Sequence, residues 1–197
     1  MSILTGTSLV GGSVNYERVE NDFYATDPSS VEALLEVLEL KSKSFYEPCC
    51  GQGHISKVLG RHFSEANHYA TDLVYRGYGT GGVDFINTPS IFLPKAEWII
   101  TNPPYSIAKE FIDKSLSIAT KGVAMFLKIQ FLEGQARKEW FANTPLKAVY
   151  VFSKRQDPWR DGEQLNPKTG KKWGSTMCFA WFVWEHGYLG NPTIKWI

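Results

Sequence analysis

The residues with the most specific chemistry follow a short apolar run near the middle of the chain. Residues 102–105 read Asn-Pro-Pro-Tyr and come directly after "EWII" and a threonine. Proline fixes φ and has no backbone N–H, so two consecutive prolines make a stiff backbone that offers only carbonyl acceptors. The side-chain oxygen of Asn102 and the carbonyl of Pro103 can therefore accept hydrogen bonds from both N–H groups of an exocyclic amine. The simpler interpretation is a strand terminator followed by a helix cap.

Two fixed acceptors suit the methylation of an amine on a nucleobase. The lone pair of the adenine amine is delocalised into the ring, which makes the nitrogen a poor nucleophile. Accepting hydrogen bonds from both N–H groups favours a pyramidal nitrogen whose lone pair points at a methyl donor, a form of electrostatic preorganisation. Tyr105 can stack on a base that has swung out of its helix. The motif predicts catalytic roles for Asn102, Pro103, Pro104 and Tyr105.

A glycine loop upstream predicts a binding site for a cationic ligand. In "FYEPCCGQGHISKVL", Gly51 and Gly53 allow the backbone to turn sharply and to approach a ligand closely. The acidic Glu47 before the loop disfavours a phosphate. Ser56 stands where a dinucleotide fingerprint has its third glycine, and the sequence has no Gly-Lys-Ser/Thr of a P-loop. An ordinary strand-to-helix turn would also explain the two glycines.

Two more carboxylates follow strand-like stretches. Asp72 comes about 20 residues after the loop, where a carboxylate can accept both hydroxyls of a ribose. A solvated or helix-capping aspartate is the alternative. Asp84 and Phe85 in "GVDFIN" offer an acceptor for an adenine amine and an aromatic surface. In this order, these residues predict a pocket for an adenosine that carries a positive charge and no phosphate, a description that S-adenosylmethionine fits.

The elements that must position these residues alternate between strand and helix patterns. A helix is predicted over "TDPSSVEALLEVLEL", with Asp27 as its N-cap. The other predicted helices are "HISKVLGRHF" ending near Gly60, "IAKEFIDKSLSIAT" capped by Ser106, and "EGQARKEWFANT". The predicted strands are "SFYEP", "HYATDL", "EWIIT", "GVAMFLKI", "KAVYVFS", "MCFAWFVWEHGY" and an edge piece, "TIKWI". The alternation predicts an α/β fold with a mostly parallel sheet. "MCFAWFVWEHGY" lacks a preceding crossover helix, so we expect it to pair antiparallel.

Composition limits the remaining possibilities. A chain of 197 residues suits one domain, which we place at 22–197 after a flexible Gly/Ser/Thr-rich segment at 1–21. The net charge of +1 gives no general attraction for nucleic acid, so such a partner requires a local basic patch. The 3 cysteines match neither a disulfide framework nor a zinc spacing, and no metal is expected. No stretch has the pattern of a signal peptide or a membrane span, which predicts a cytoplasmic protein without a membrane partner.

One polar insertion at about 154–175 provides such a basic patch. Basic and aromatic residues interleave in it, a pattern that suits phosphate contacts and base stacking. A solvated hairpin tip is the alternative. The predicted nucleic-acid-binding residues are Lys154, Arg155, Trp159, Arg160, Lys171 and Lys172.

Several stretches resemble the DNA adenine-N6 methyltransferases, especially the small enzymes of phages and prophages. "NPPY" at 102–105 is similar to their catalytic motif, typically Asp or Asn, two prolines, then Tyr, Phe or Trp. "EPCCGQG" at 47–53 resembles their donor-binding loop. "DFYATDP" at 22–28 resembles the segment that helps to hold the methionine part of the donor. "FLEGQARKEWF" and "FAWFVWEHGYLGNPTIKWI" are also similar, and in "FLEGQAR" Glu133 and Arg137 either bind near the site or pair on a helix.

The resemblance implies a Rossmann-like class I methyltransferase fold that transfers a methyl group from S-adenosylmethionine to adenine N6 in DNA. The predicted donor-binding residues are Tyr24, Thr26, Glu47, Pro48, Cys49, Gly51, Gly53, Asp72, Leu73, Asp84, Phe85 and Asn102. The same chemistry on RNA, on cytosine N4 or on protein glutamine is the alternative. A further alternative is a non-catalytic nucleic-acid-binding module with this fold. The chain has no stretch long enough for a separate target-recognition domain. If the insertion at about 154–175 reads the target, its small size predicts short or relaxed sequence specificity.

Overall fold

The computed structural model describes residues 24–156, 159–160, 162–173 and 177–197. The predicted flexible segment at 1–21 lies outside these ranges. In chain order the elements are β1 (Tyr24–Ala25), α1 (Pro28–Val37), β2 (Ser44–Glu47), α2 (His54–His62), β3 (Asn67–Ala70), β4 (Trp98–Thr101), α3 (Ala108–Ile118), β5 (Gly122–Lys128), α4 (Gln135–Ala142), β6 (Leu146–Val151), β7 (Trp159–Arg160), β8 (Phe179–Glu185) and β9 (Thr193–Trp196). Single 3₁₀ turns lie at Ser90–Phe92, Tyr105–Ile107 and Ile129–Leu132.

The main sheet has seven strands in the order β3-β2-β4-β5-β8-β6-β9. Strands β3, β2, β4 and β5 run parallel, whereas β8 runs antiparallel to both of its neighbours, β5 and β6. This confirms the predicted mostly parallel sheet and the antiparallel "MCFAWFVWEHGY". The edge strand β9 pairs parallel to β6. The sequence did not predict the small ribbon in which β1 pairs antiparallel with β7.

Helices cover both faces of this sheet, which explains its continuous apolar strands. Successive residues of β8 alternate between the two sides. Trp181 packs in the cluster formed with α1 and α2, whereas Phe182 packs in the cluster formed with α3. Both of these side chains are fully buried. The β-strands that carry predicted site residues are therefore fixed in a closely packed interior.

The sequence predicted the N-cap residue of α1 correctly and that of α3 incorrectly. Asp27 caps α1 as expected, because its carboxylate accepts a hydrogen bond from the Ser29 amide at 2.9 Å. The predicted Ser106 cap of α3 is wrong. The Pro104 carbonyl accepts the Ile107 amide at 3.1 Å, so a 3₁₀ turn precedes the helix and Ile107 occupies the N-cap position. The strand end and the helix are thus joined by the Asn-Pro-Pro-Tyr motif.

A close backbone approach at Gly122 yields a stability prediction. A Cβ there would lie 2.6 Å from the Trp184 carbonyl oxygen and 2.6 Å from the Trp98 ring. Gly122→Ala is therefore expected to destabilise the fold by about 1–3 kcal/mol, as overpacking does. Gly60→Ala is the control, because Gly60 lies in α2 with no atom within 4 Å of an added Cβ. It is expected to raise stability by up to about 1 kcal/mol. Urea unfolding measures both, and equal stability of the two variants would contradict the prediction.

Candidate active site

Three of the predicted site residues lie at one edge of the sheet, where the parallel strands end. Glu47 ends β2, Asp72 follows β3 and Asn102 follows β4. Strands β2 and β4 are neighbours in the sheet. After β2 the chain continues to β3, on the far side of β2, and after β4 it continues to β5, on the far side of β4. The crevice between β2 and β4 is thus a topological switch point, the place where open α/β sheets bind ligands.

The Asn102 side chain is oriented by a carbonyl from the ribbon. Its Nδ2 donates a hydrogen bond to the Tyr24 carbonyl oxygen at 3.2 Å. The side-chain oxygen, Oδ1, is therefore the acceptor left for a substrate. Within the described part of the chain, the Pro103 carbonyl accepts no hydrogen bond, whereas the Pro104 carbonyl is occupied by Ile107. The Pro103 carbonyl thus has no hydrogen-bond donor among the described residues, whereas the Asn102 side chain also has a hydrogen bond with Tyr105.

Tyr105 lies half-buried next to this amide. The Lys128 ammonium lies 5.1 Å from the centre of its ring, and the Phe179 ring lies 6.2 Å from it. Burial raises the pKa of the Tyr105 hydroxyl well above its ordinary value, and a hydrogen bond with the Asn102 side chain only partly opposes this. The residue is a neutral phenol whose ring is held by its neighbours.

The glycine loop is tied to Asp72 by its backbone. The Gly51 amide donates to Asp72 Oδ2 at 2.8 Å, and the Val74 amide donates to Oδ1 at 3.0 Å. Each carboxylate oxygen keeps acceptor capacity for a second donor, such as a hydroxyl. Gly53 adopts a φ of 78°, and the Tyr78 ring lies only 2.4 Å from where its Cβ would be. A larger residue at Gly53 would displace that ring.

Glu47 is a buried carboxyl group. Its Oε2 accepts hydrogen bonds from the Ser56 amide at 2.9 Å and from the Ser56 hydroxyl at 2.5 Å. Burial raises the pKa of Glu47 from 4.5 to about 8, and the nearby Asp72 charge adds to the effect although the Ser56 bonds oppose it. No ion pair among the described residues includes Glu47. A buried carboxyl group of this kind suits a cationic ligand.

Asp84 and Phe85 have different surroundings from those that the sequence suggested. The amides of Ile86 and Asn87 and the Asn87 side chain donate to the Asp84 carboxylate, and these bonds hold its pKa below the ordinary value. Phe85 is only 2% exposed and packs against Phe111 with ring centres 4.8 Å apart. Its ring is part of the core and presents no free face to an adenine.

The other predicted donor-site residues differ in exposure. Leu73 follows Asp72 and is 55% exposed, so it is an accessible apolar side chain. Thr26 and Pro48 are buried, whereas Cys49 is half-buried. Burial raises the pKa of the Cys49 thiol well above its ordinary value, with the charges of Asp72 and Glu47 adding to the effect. The thiol is therefore neutral and unsuited to act as a nucleophile.

A cavity of about 190 Å³ opens beside the Asn-Pro-Pro-Tyr motif. It is lined by Tyr105, Ala108, Leu127, Lys128, Gln130, Phe131 and Arg137. The Arg137 guanidinium lies 5.2 Å from the centre of the Phe131 ring, and its Nε donates to the Glu133 carbonyl at 2.6 Å. The sequence left Arg137 undecided and missed Lys128, Gln130 and Phe131. Their position at the end of β5, on the same sheet edge as Asn102, was the signal that could have identified them.

The insertion is anchored on the domain through its first part. Trp159 and Arg160 form β7 and are half-buried, whereas Lys154, Arg155, Lys171 and Lys172 are exposed. The predicted set of nucleic-acid-binding residues is thus split between an anchor and an accessible basic surface.

The described residues contain no cluster of three side chains that could hold a metal ion. In the same part of the chain, every helix is too short or too polar to cross a membrane.

Similar folds occur among solved methyltransferase structures. TrmN from Thermus thermophilus is 16% identical over 80% of this chain, with a TM-score of 0.52, and the match covers 48% of TrmN. This chain thus spans about half the length of that protein. A putative RNA methyltransferase from Pyrococcus horikoshii is 12% identical over 80% of this chain and 82% of its own, with a TM-score of 0.54. Magnesium protoporphyrin IX methyltransferase from Synechocystis, solved with bound SAM, is 11% identical over 80% and 78%, with a TM-score of 0.51.

These similarities establish the fold as a Rossmann-like methyltransferase sheet. No protein-family profile matches the sequence, and no curated protein matches it.

Proposed function

We propose that this chain transfers a methyl group from S-adenosylmethionine to the exocyclic N6 amine of adenine in DNA. The observation that carries the proposal is the orientation of Asn102, whose Nδ2 is bound to the Tyr24 carbonyl so that Oδ1 remains as an acceptor. Together with the Pro103 carbonyl, it provides two acceptors for the two N–H groups of an amine. A site for a hydroxyl or thiol nucleophile would have no use for the second acceptor.

The residues around the glycine loop fit the proposed donor. Buried Glu47 lacks a described cationic partner and suits the positive charge of the donor. Asp72 has acceptor capacity for ribose hydroxyls, and exposed Leu73 offers an apolar contact to a base. When bound, the donor would supply the methyl group of a sulfonium; the amine nitrogen would form the new N–C bond, and the electron pair of the broken C–S bond would stay on sulfur. A fold shared with a methyltransferase that contains bound SAM supports this assignment.

The chain's own groups then act on the amine. Asn102 Oδ1 and the Pro103 carbonyl accept hydrogen bonds from its two N–H groups, which localises the lone pair on nitrogen. The methylated nitrogen loses one proton to solvent, so the site needs no strong base. Neutral Tyr105 provides a ring face for the base.

The cavity beside Tyr105 favours a nucleotide over a small metabolite as the substrate. Its lining combines two aromatic rings, Tyr105 and Phe131, with two cations, Lys128 and Arg137. Aromatic rings bind bases by stacking, and cations bind the phosphates that flank them. The insertion carries further exposed basic residues.

The first experiment is methyl transfer from labelled S-adenosylmethionine to duplex DNA, single-stranded DNA, total RNA and protein extract in parallel. Nucleoside and amino-acid analysis identifies the labelled product. N6-methyladenine in DNA is the expected product. Label in RNA, on cytosine N4 or on glutamine would replace the proposed substrate while keeping the chemistry. Donor binding without any transfer would favour a non-catalytic nucleic-acid-binding module.

The cations of the cavity give a prediction for binding. Lys128→Gln and Arg137→Gln are each expected to raise the KM for DNA roughly tenfold and to reduce the salt dependence of binding by about one phosphate contact. Lys43→Gln, an exposed lysine before β2 at the opposite end of the sheet, is the charge-matched control. Binding isotherms at three salt concentrations measure the effect. An unchanged salt slope in both cavity variants would show that these cations do not contact phosphate.

A further inference from the structure

The insertion contacts the two residues that flank Gly53, the last residue of the glycine loop. The Trp159 ring stands edge-on to the His54 ring, with centres 5.3 Å apart, and its Nε1 donates to Asp27 Oδ2 at 3.1 Å. Gly162 lies so close to Gln52 that an added Cβ would be 2.2 Å from Oε1. The insertion therefore touches a residue inside the loop and the first residue of α2.

The same tryptophan is linked to the catalytic motif through the ribbon. Ala25 pairs with Trp159 and Tyr24 pairs with Arg160. Tyr24 in turn supplies the carbonyl to which Asn102 Nδ2 donates. A two-stranded ribbon this short is not stable by itself. The contacts of Trp159 with Asp27 and His54 join β7 to the domain.

We propose that Trp159 is a positioning residue for the methyl transfer. By holding β7 against the domain it fixes β1, and β1 fixes the direction in which the Asn102 amide points. The insertion is then a clamp that connects the glycine loop to the catalytic motif, in addition to carrying basic residues. This proposal rests on the proposed function. It gives Trp159 a role different from base stacking, because its indole N–H and one ring edge are used within the protein.

The test compares steady-state kinetics of the full-length protein and three variants on an adenine-containing duplex. Trp159→Ala is expected to lower kcat about 10–100-fold, as a small misplacement of a catalytic group does, with the KM for DNA changed less than roughly threefold. Trp159→Phe keeps the ring contact with His54 and loses the bond to Asp27, so it should recover part of the kcat. Trp173→Phe is the matched control, because it removes an indole bond to the Glu163 carbonyl within the same insertion. It should keep the wild-type kcat.

Hydrogen exchange of the peptide that covers Tyr24–Thr26 tests whether Trp159 holds β1 in place, and this test does not depend on methyl transfer. Its amides should exchange faster in Trp159→Ala than in the wild type, and should be unchanged in Trp173→Phe. Thermal unfolding verifies that each variant is folded. If Trp159→Ala does not fold, Trp159→Phe replaces it in the kinetic and exchange measurements. Faster exchange without any wild-type methyl transfer would support the clamp and reject the proposed function. Unchanged exchange, or a raised KM with an unchanged kcat, would overturn the proposal.

Discussion

Replacing Asn102 with aspartate is expected to lower kcat roughly 100-fold, the usual cost of losing one preorganised group at a reacting centre. The physical reason is specific to this chain. Asn102 donates to the Tyr24 carbonyl, and an aspartate would place a carboxylate oxygen against that carbonyl with no proton between them. The side chain must then rotate away from the substrate. Donor binding should remain within about threefold of wild type, because the residue orients the amine and not the donor.

The matched control for this substitution is Asn143→Asp. Asn143 likewise donates its Nδ2 to a backbone carbonyl, that of Glu139 at 2.8 Å, at the end of α4. Single-turnover methylation with donor-saturated enzyme measures the chemical step, and titration calorimetry measures the donor affinity. Wild-type turnover by Asn102→Asp would show that the Tyr24 carbonyl does not set the orientation of this side chain.

Replacing Glu47 with glutamine is expected to weaken the binding of S-adenosylmethionine while making the free protein more stable at high pH. A hydrogen bond to a charged group contributes about 1.5–3 kcal/mol, so the affinity should fall roughly tenfold to 100-fold. Burial raises the pKa of Glu47 from 4.5 to about 8 in the folded protein. Its contribution to stability is therefore fully present below pH 4.5 and is lost as the pH rises through about 8. Glutamine has no proton to lose and avoids this penalty.

Two measurements check this prediction. Calorimetry in buffers of different ionisation enthalpy should show that the wild type releases a proton on donor binding near pH 7 and binds more tightly as the pH rises toward 8. Glu47→Gln should lose both effects. Its melting temperature should exceed that of the wild type at pH 9 and differ less at pH 5. Glu65→Gln, an exposed glutamate after α2, is the control. A Glu47→Gln variant that binds the donor with full affinity would exclude a charge contact at this residue.

The sheet and the strand-end residues could be predicted from the sequence because both leave local patterns. Strands buried on two faces are continuous apolar runs, and their ends place Glu47, Asp72 and Asn102 on one edge. The ribbon leaves no such pattern. It is two residues long on each side, and the Asp27–Trp159 bond that anchors it joins residues 132 positions apart in the sequence.

The sequence did not reveal the positions of Phe85 and Lys128, and each case has a physical cause. The Phe85 aromatic ring is as apolar as a ligand-binding surface would be, and the sequence does not reveal which side of a loop faces the core. The packing of the Phe85 ring against Phe111 shows that this ring faces the core. Lys128 was missed because it reads as the polar end of a strand, and its proximity to the Tyr105 ring follows from how β4 and β5 end side by side.

The placement of β8 between β5 and β6 has a consequence for how the chain folds. Residues 179–185 follow β5 and β6 in the chain, yet they pair with both of these strands in the middle of the sheet. Until they leave the ribosome, β5 and β6 each expose an unpaired apolar edge, which is the kind of surface that aggregates. The half of the sheet that begins at β5 therefore closes only after residues 179–185 have been synthesised, through contacts distant in sequence. Slow folding and sensitivity to C-terminal truncation follow from this arrangement.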